Sequence, residues 1–569
     1  MMSPVLPKNY QELLTWDWPN FAPLYADLKA QEITASNVED WLSHWSRVSE
    51  CVDELYNRLY VLHTVDTTNK EIEKQYEHFF DAIYPKAMEA EQHLKEKLLA
   101  SGLEPRGFHI PLRNMRAEAD LFRPSNLALL GEEQKIASEY GKIIGAQTIT
   151  WNGEEKTIMA MRTVQQDTDR ATRERAWRTA AERQLEDREA INGVWKKLLD
   201  IRRRIALNAG KPDYRAYRWQ QLLRFDYKPE DCRSFHKAIE QVVVPAAKRV
   251  YERRRKALGV DSLRPWDLDV DVWGKPPLRP YKDVDELKAG VSSIFHQVDP
   301  QLGAYFDIMR NDGMLDLDNR KGKAPGGYCT TFSWTRRPFI FMNGVGMHDD
   351  VQTLLHEGGH SFHSFESSVL PYYPQLSVGM EFAEVASMGM ELLASPYLAK
   401  DKGGFYTASE AARALTEHLE GLLKFWPYMA VVDAFQHWVY ENPDRAANPA
   451  NCDAAWSEQW HRFMQGVDVS GQDDITATGW HRKLHIFEVP FYYVEYGLAQ
   501  LGAVQVWKNA LENLTGAVAA YRRALALGGT VTLPELYKTA GARLAFDADT
   551  LGDAVSLIEG QLEKLEKAI

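Results

Sequence analysis

Two histidines four residues apart, with a glutamate after the first, can hold one divalent metal ion and move one proton, and the chain carries that arrangement as His356-Glu357-Gly358-Gly359-His360. At roughly 100° per residue, His356 and His360 share one face of a helix. Val351, Leu354, Leu355, Gly358, Phe362 and Phe365 form an apolar stripe on nearly the opposite face. Two imidazoles so placed can close on one tetrahedral zinc, and Glu357 beside them can accept a proton from an attacking water. Asp349 with Gln352 three residues on reads as a capping box, so the helix is expected to start just ahead of the motif. Adjacent glycines in mid-helix each cost about 1 kcal/mol against alanine, which a purely structural helix has little reason to carry.

A catalytic zinc usually has three protein ligands and an open position, so one ligand is still to be found. Glu366 lies about 9 Å of axial rise beyond His360, too far to share the ion, and His363 is one turn past His360 and reads as a supporting or core residue. After Pro371-Tyr372-Tyr373-Pro374 breaks the chain, a second helix carries Glu381, Glu384 and Glu391. Glu384 and Glu391 are about 10 Å apart along the axis, so at most one of them reaches the metal, and spacing does not separate Glu381 from Glu384. Further on, His485, Tyr492, Tyr493 and Tyr496 form a dense group of aromatic donors, with Tyr492 and Tyr496 at i, i+4 if the segment is helical. Such a group can stabilise a developing oxyanion, or it can be ordinary core tyrosine.

These residues need a scaffold, and the 569-residue chain is 45% hydrophobic and 11% aromatic, enough for a large core or two. A net charge of −13 argues against nucleic acid or an anionic membrane as partner. Arg202-Arg203-Arg204 and Arg253-Arg254-Arg255 read as solvated helix faces. Cys51, Cys232, Cys329 and Cys452 match no Cys-x-x-Cys zinc site and no disulfide framework, so reduced thiols are expected. No signal peptide or membrane-length apolar run is seen, and a soluble, cytoplasmic protein is the default expectation. Val52, Leu55, Leu59 and Leu62 set a helical stripe in the first hundred residues, and Leu551, Val555, Ile558, Leu562 and Leu565 another at the end. Asn152-Gly153 predicts one hairpin over 148–157, and 326–332 with 338–343 read as two β segments just before the motif helix. The division drawn is residues 1–190 as an N-terminal helical lobe and 191–569 as the catalytic part.

The motif, followed by Glu381-Phe382-Ala383-Glu384-Val385-Ala386-Ser387, resembles the thimet-oligopeptidase family, in particular its oligoendopeptidase F and Pz-peptidase branch. Asp169-Arg170 to Glu182-Arg183, Leu263-Arg264-Pro265-Trp266-Asp267-Leu268, Gly326-Gly327-Tyr328-Cys329 and the stretch from His485 through Tyr496-Gly497 to Ala503 carry the same likeness. The resemblance implies a mainly α, elongated, two-lobed metallopeptidase with a deep channel and a small β region beside the zinc helix. It implies one Zn2+ per chain, held by His356, His360 and Glu384, with Glu357 as general base and Tyr496, Tyr492 and His485 over the substrate carbonyl. Short unfolded peptides are the implied substrates, cut at internal bonds. Gly358 stands where relatives often carry a larger residue, which bears on pocket shape. The rival readings are a zinc exopeptidase, which needs a cation such as Arg336 for the terminal carboxylate, and a helical peptide-binding protein without activity.

Overall fold

Two apolar cores organise a chain that is helical over most of its length; the computed structural model describes residues 5–567. The first core draws on residues from Leu13 to Met115 and centres on the 28-residue helix Val38–Val65, which buries Trp41, Trp45, Val52, Leu55 and Leu59. Leu62, expected on that stripe, is 37% exposed, and Val61 is buried instead. Val61 packs on Phe332, Phe339 and Phe341 in a small cluster apart from both cores. The second core runs from Leu121 to Leu562. The cores therefore divide well before residue 190, because helix Pro124–Gly145 packs on helix Arg188–Asn208 and its Tyr140 stacks on Phe487 at 4.1 Å.

The expected hairpin forms: β1 (Thr148–Trp151) pairs antiparallel with β2 (Glu154–Thr157). Asn152 and Gly153 both take positive φ, as the tight hairpin turn requires. A second sheet adds β3 (Leu315–Asp318), β4 (Tyr328–Phe332) and β5 (Arg337–Gly344) in the order β3-β5-β4, so β4 is an edge strand. β3 is parallel to β5 and was not expected; at four residues it is too short to show in a sequence pattern.

The motif helix spans His348–Ser367, and its stripe is buried as the spacing required, with Val351, Leu354, Leu355 and Phe362 at 0% exposure. Its start differs from the expected cap. Asp350, not Asp349, closes it: Oδ2 accepts from the backbone N–H of Val345 at 2.9 Å and of Met347 at 2.8 Å, and from the Tyr281 hydroxyl at 2.5 Å. The glycines are explained by close packing. A Cβ on Gly359 would lie 2.4 Å from the Ala386 carbonyl oxygen and 2.6 Å from Ser387 Cα; one on Gly358 would lie 2.5 Å from Phe295 Cζ. The absence of a side chain at Gly359 lets helix Met380–Ala394 come against the motif helix backbone to backbone, and its absence at Gly358 leaves room for Phe295.

Candidate metal centre

That close approach brings three donor groups together. His356 Nε2 and His360 Nε2 lie 3.4 and 3.7 Å from Glu384 Oε2, and ligand atoms of all three residues fall within 4.8 Å of one another. Donors each about 2.0–2.1 Å from a tetrahedral zinc are roughly 3.3 Å apart, so the spacing fits a single ion with little movement. Glu381, which spacing left open, points elsewhere: its carboxylate accepts from the Tyr227 hydroxyl at 2.7 Å and faces Arg224. Glu366 is paired with Arg522 at 2.6 Å, and His363 is buried against Phe382.

Supporting contacts set the orientation of each donor. His356 Nδ1 is 2.7 Å from Glu391 Oε1, and His418 Nε2 lies 3.3 Å from the other oxygen of the same carboxylate. A carboxylate behind a metal-binding imidazole fixes its tautomer and leaves Nε2 for the ion. Ser387 Oγ donates to Glu384 Oε2 at 2.8 Å. His418 escaped sequence reading because nothing in the spacing of the 34-residue helix Ala408–Glu441 marks it.

Protonation follows burial and charge. Burial pushes Glu357 up to about 7, against the pull of His356. Burial lowers His360 to about 4. Glu384 falls to about 2 although burial opposes it, because His356 and His360 hold its charge. A bound dication shifts all three toward the forms that coordinate or accept protons.

The aromatic donors converge as well. Tyr492 precedes helix Tyr493–Leu525, its ring 5.1 Å from that of Tyr496, and its hydroxyl is 3.5 Å from Glu384 Oε1. The His485 ring is 6.0 Å from each of these two tyrosines. The segment from His485 to Tyr492, which begins in the short helix Leu484–Glu488, is held by arginines that nothing in the sequence marks for this role. Arg202, far from being solvated, is fully buried; it donates to the Ile486 carbonyl at 3.1 Å and to that of Phe487, and pairs with Glu133 at 2.7 Å. Arg218 donates to Pro490 O at 3.1 Å, and Arg224 to Phe491 O and to Glu495. A run of like charges conceals which member turns inward, because only tertiary packing decides it.

A cavity of about 800 Å³ lies beside this centre, lined by Trp45, Asp53 and Met115 from the first core and by Cys329, His360 and His363 from the second. Arg336 also lines it, paired with Glu50.

A mainly helical chain of two lobes, with a His-Glu-x-x-His helix packed on a glutamate-bearing helix beside an interlobe cavity, defines the class of helical metallopeptidase folds. The chain belongs to Peptidase family M3, whose model matches residues 163–554, and residues 15–106 match the Peptidase M3 N-terminal domain. It is similar to the oligoendopeptidase F homologue of Borreliella burgdorferi, 22% identical over 330 residues, which cover 57% of this chain and 54% of that protein. A plasmid-encoded oligoendopeptidase F of Lactococcus lactis subsp. cremoris is 23% identical over 518 residues, covering 87% and 77%. The matched stretch spans about half the length of the first curated relatives. Among solved structures, Pz peptidase A in complex with an inhibitor superposes with a TM-score of 0.86 at 28% identity, covering 98% of both chains. An oligoendopeptidase F structure gives 0.86 at 27%, covering 98% and 97%. Among the described residues no helix is long and apolar enough to cross a membrane.

Proposed function

We propose that this protein is a zinc-dependent oligoendopeptidase that hydrolyses internal bonds of short unfolded peptides. The observation that carries the reading is the donor set of His356, His360 and Glu384 with Glu357 beside it, next to a cavity too small for a folded domain. Bound zinc supplies electrostatic activation of water and of the scissile carbonyl. His356, His360 and Glu384 hold the ion, and Glu391 keeps His356 in the ligating tautomer. Glu357 takes the proton from the attacking water and delivers it to the leaving amine. Tyr496, assisted by Tyr492 and His485, donates to the carbonyl oxygen as negative charge develops there. β4, the edge strand contributing Cys329 and Thr330 to the cavity wall, suits pairing with extended substrate backbone.

An exopeptidase needs a cation for the terminal carboxylate, and the Arg336 cation is already engaged by Glu50. Four free cysteines suit a reducing cytoplasm. The test is a peptide blocked at both ends together with the Glu357→Gln variant. Cleavage of the blocked peptide, and a variant that keeps its metal while losing about a hundred- to ten-thousand-fold in turnover, are expected. Near-normal turnover of the fully metallated variant would remove Glu357 from the role of base. Release of terminal residues only, and only from unblocked peptides, would favour the exopeptidase.

A further inference from the structure

Away from the cavity, two packed helices each present an i, i+4 pair to the other. Helix Pro229–Ala238 carries Cys232 and His236, and helix Ala408–Glu441 carries Asp433 and His437. Ligand atoms of Cys232, Asp433 and His437 lie within 4.8 Å of one another, and their exposures are 0%, 0% and 3%. His236 Nε2 is 2.8 Å from Asp433 Oδ2. The other oxygen, Oδ1, has no hydrogen-bond partner among the described residues. Nor has His437 Nε2, which stands 3.4 Å from Oδ2 outside hydrogen-bond geometry. The ion-pair partners of Asp433 among the described residues are imidazoles, not lysine or arginine. A fully buried carboxylate so placed is costly unless a cation meets it.

We infer that Cys232, Asp433 and His437 form a second metal site, for a thiophilic divalent ion of the zinc class, with His236 holding the Asp433 carboxylate in position. One thiolate and one carboxylate balance the charge of a dication, and the sulfur selects zinc-like ions over magnesium or calcium. On binding, the Cys232 thiol loses its proton to solvent and its sulfur takes the metal in that proton's place. Ligation through His437 Nε2 requires a hydrogen on Nδ1. Arg215, whose Nη1 is 3.3 Å from that atom, must then turn fully to Glu441, which it already contacts. The site is structural. It ties the two helices together next to the tyrosine segment: the His437 ring packs on Phe491 at 5.2 Å, and the Phe491 N–H donates to Gln436 Oε1 at 2.8 Å.

The test uses the full chain carrying His356→Ala and His360→Ala, which removes the first centre, stripped with chelator and reloaded with cobalt or zinc. One tightly held equivalent is expected, against two in the parent. A thiolate-to-cobalt charge-transfer band and a zinc–sulfur distance of about 2.3 Å by X-ray absorption should accompany it, since the first centre contains no sulfur ligand. Adding Cys232→Ser should remove both the sulfur signal and the remaining equivalent. No retained metal in the double-histidine variant, or an equivalent without sulfur in its shell, overturns the site. Both results are read on a chain that keeps Cys232, so they stand even if the serine variant fails to fold.

Discussion

The motif helix and helix Val38–Val65 both face the cavity, and they are held by different means. The motif helix backbone is seated by close packing, with Gly359 against Ala386 and Phe362 against Phe295 at 4.8 Å, while the His356 ring itself is braced by the Glu391 carboxylate. Helix Val38–Val65 meets the β4–β5 hairpin through Val61, packed on Phe332, Phe339 and Phe341, and through a row of polar side chains. Thr330 Oγ1 donates to Asn57 Oδ1 at 2.7 Å, the Thr335 N–H to Glu54 at 2.7 Å, and Ser333 to Asp53. Close-packed interiors transmit displacement and resist it, whereas a polar contact exchanges with water at a net cost of about 1 kcal/mol. If the proposed function holds, we expect the donor geometry to be the stiffer of the two and the polar part of the opposite wall to be the part that gives when different peptides bind.

The largest effect that sharpens this contrast is expected at Tyr496, on the fixed side. A donor aimed at developing charge is worth about 3 to 4 kcal/mol, or roughly a hundred- to thousand-fold in turnover. Tyr496→Phe removes one oxygen and leaves the packing, so kcat should fall by that amount with little change in KM. A lower melting temperature with unchanged kcat would make the residue structural and shift the role to Tyr492 or His485.

Next in size is Gly359→Ala. Its Cβ meets backbone atoms of the facing helix, which can give way only if the two helices separate, so a loss of about 1 to 3 kcal/mol in stability is expected together with weaker metal binding. Gly358→Ala meets the ring of Phe295 instead, a side chain that can rotate, and should cost less in both measurements. Equal metal affinity in the two variants would break the claim that backbone contact sets the donor geometry.

The same contrast decides what the sequence made legible. The buried stripe, the shared histidine face and the Asn-Gly turn follow from local periodicity or turn chemistry, and the structure has them. The reason for two adjacent glycines was hidden, because Ala386 and Ser387 reach them only in the folded molecule. So was the inward turn of Arg202, whose partners lie as far along the chain as Phe487. The choice between Glu381 and Glu384 was open on spacing; in the structure it turns on Tyr227 and Arg224, more than 150 residues earlier in the chain, which draw the Glu381 carboxylate away.

Two groups, His481 in the second lobe and Asp53 on the cavity wall, should respond to acid with opposite sign. Burial holds His481 down to about 3, with Arg482 and Arg188 adding to it, against about 6.5 in the unfolded chain. Between those values the unfolded chain binds a proton that the folded one does not, so stability falls as pH drops below about 6.5, by up to about 1.4 kcal/mol per pH unit. His481→Gln should flatten that slope in denaturant titrations. Burial raises Asp53 on the wall, so the folded state takes up its proton first and gains from acid. Asp53→Asn should therefore steepen the loss, and a flatter slope in this variant would show that Asp53 does not act as assigned.

The smallest expected effect lies on the adjustable wall. Thr330→Val keeps the shape of the side chain and removes the hydroxyl that donates to Asn57, which joins the first lobe to the edge strand. One hydrogen bond of this kind contributes about 0.5 to 1.5 kcal/mol net, and Asn57 is itself among the residues that line the cavity. Global stability should therefore change little, and metal affinity not at all, because no atom of the donor set touches this contact. If the wall adjusts to substrate, loosening it should alter KM for peptides long enough to reach it and leave KM for the shortest ones unchanged. A uniform fall in kcat across peptide lengths, with metal content intact, would show instead that β4 transmits strain to the centre through Cys329, whose thiol lies 3.4 Å from Ser361 Oγ on the motif helix. The wall and the centre would then be one mechanical unit.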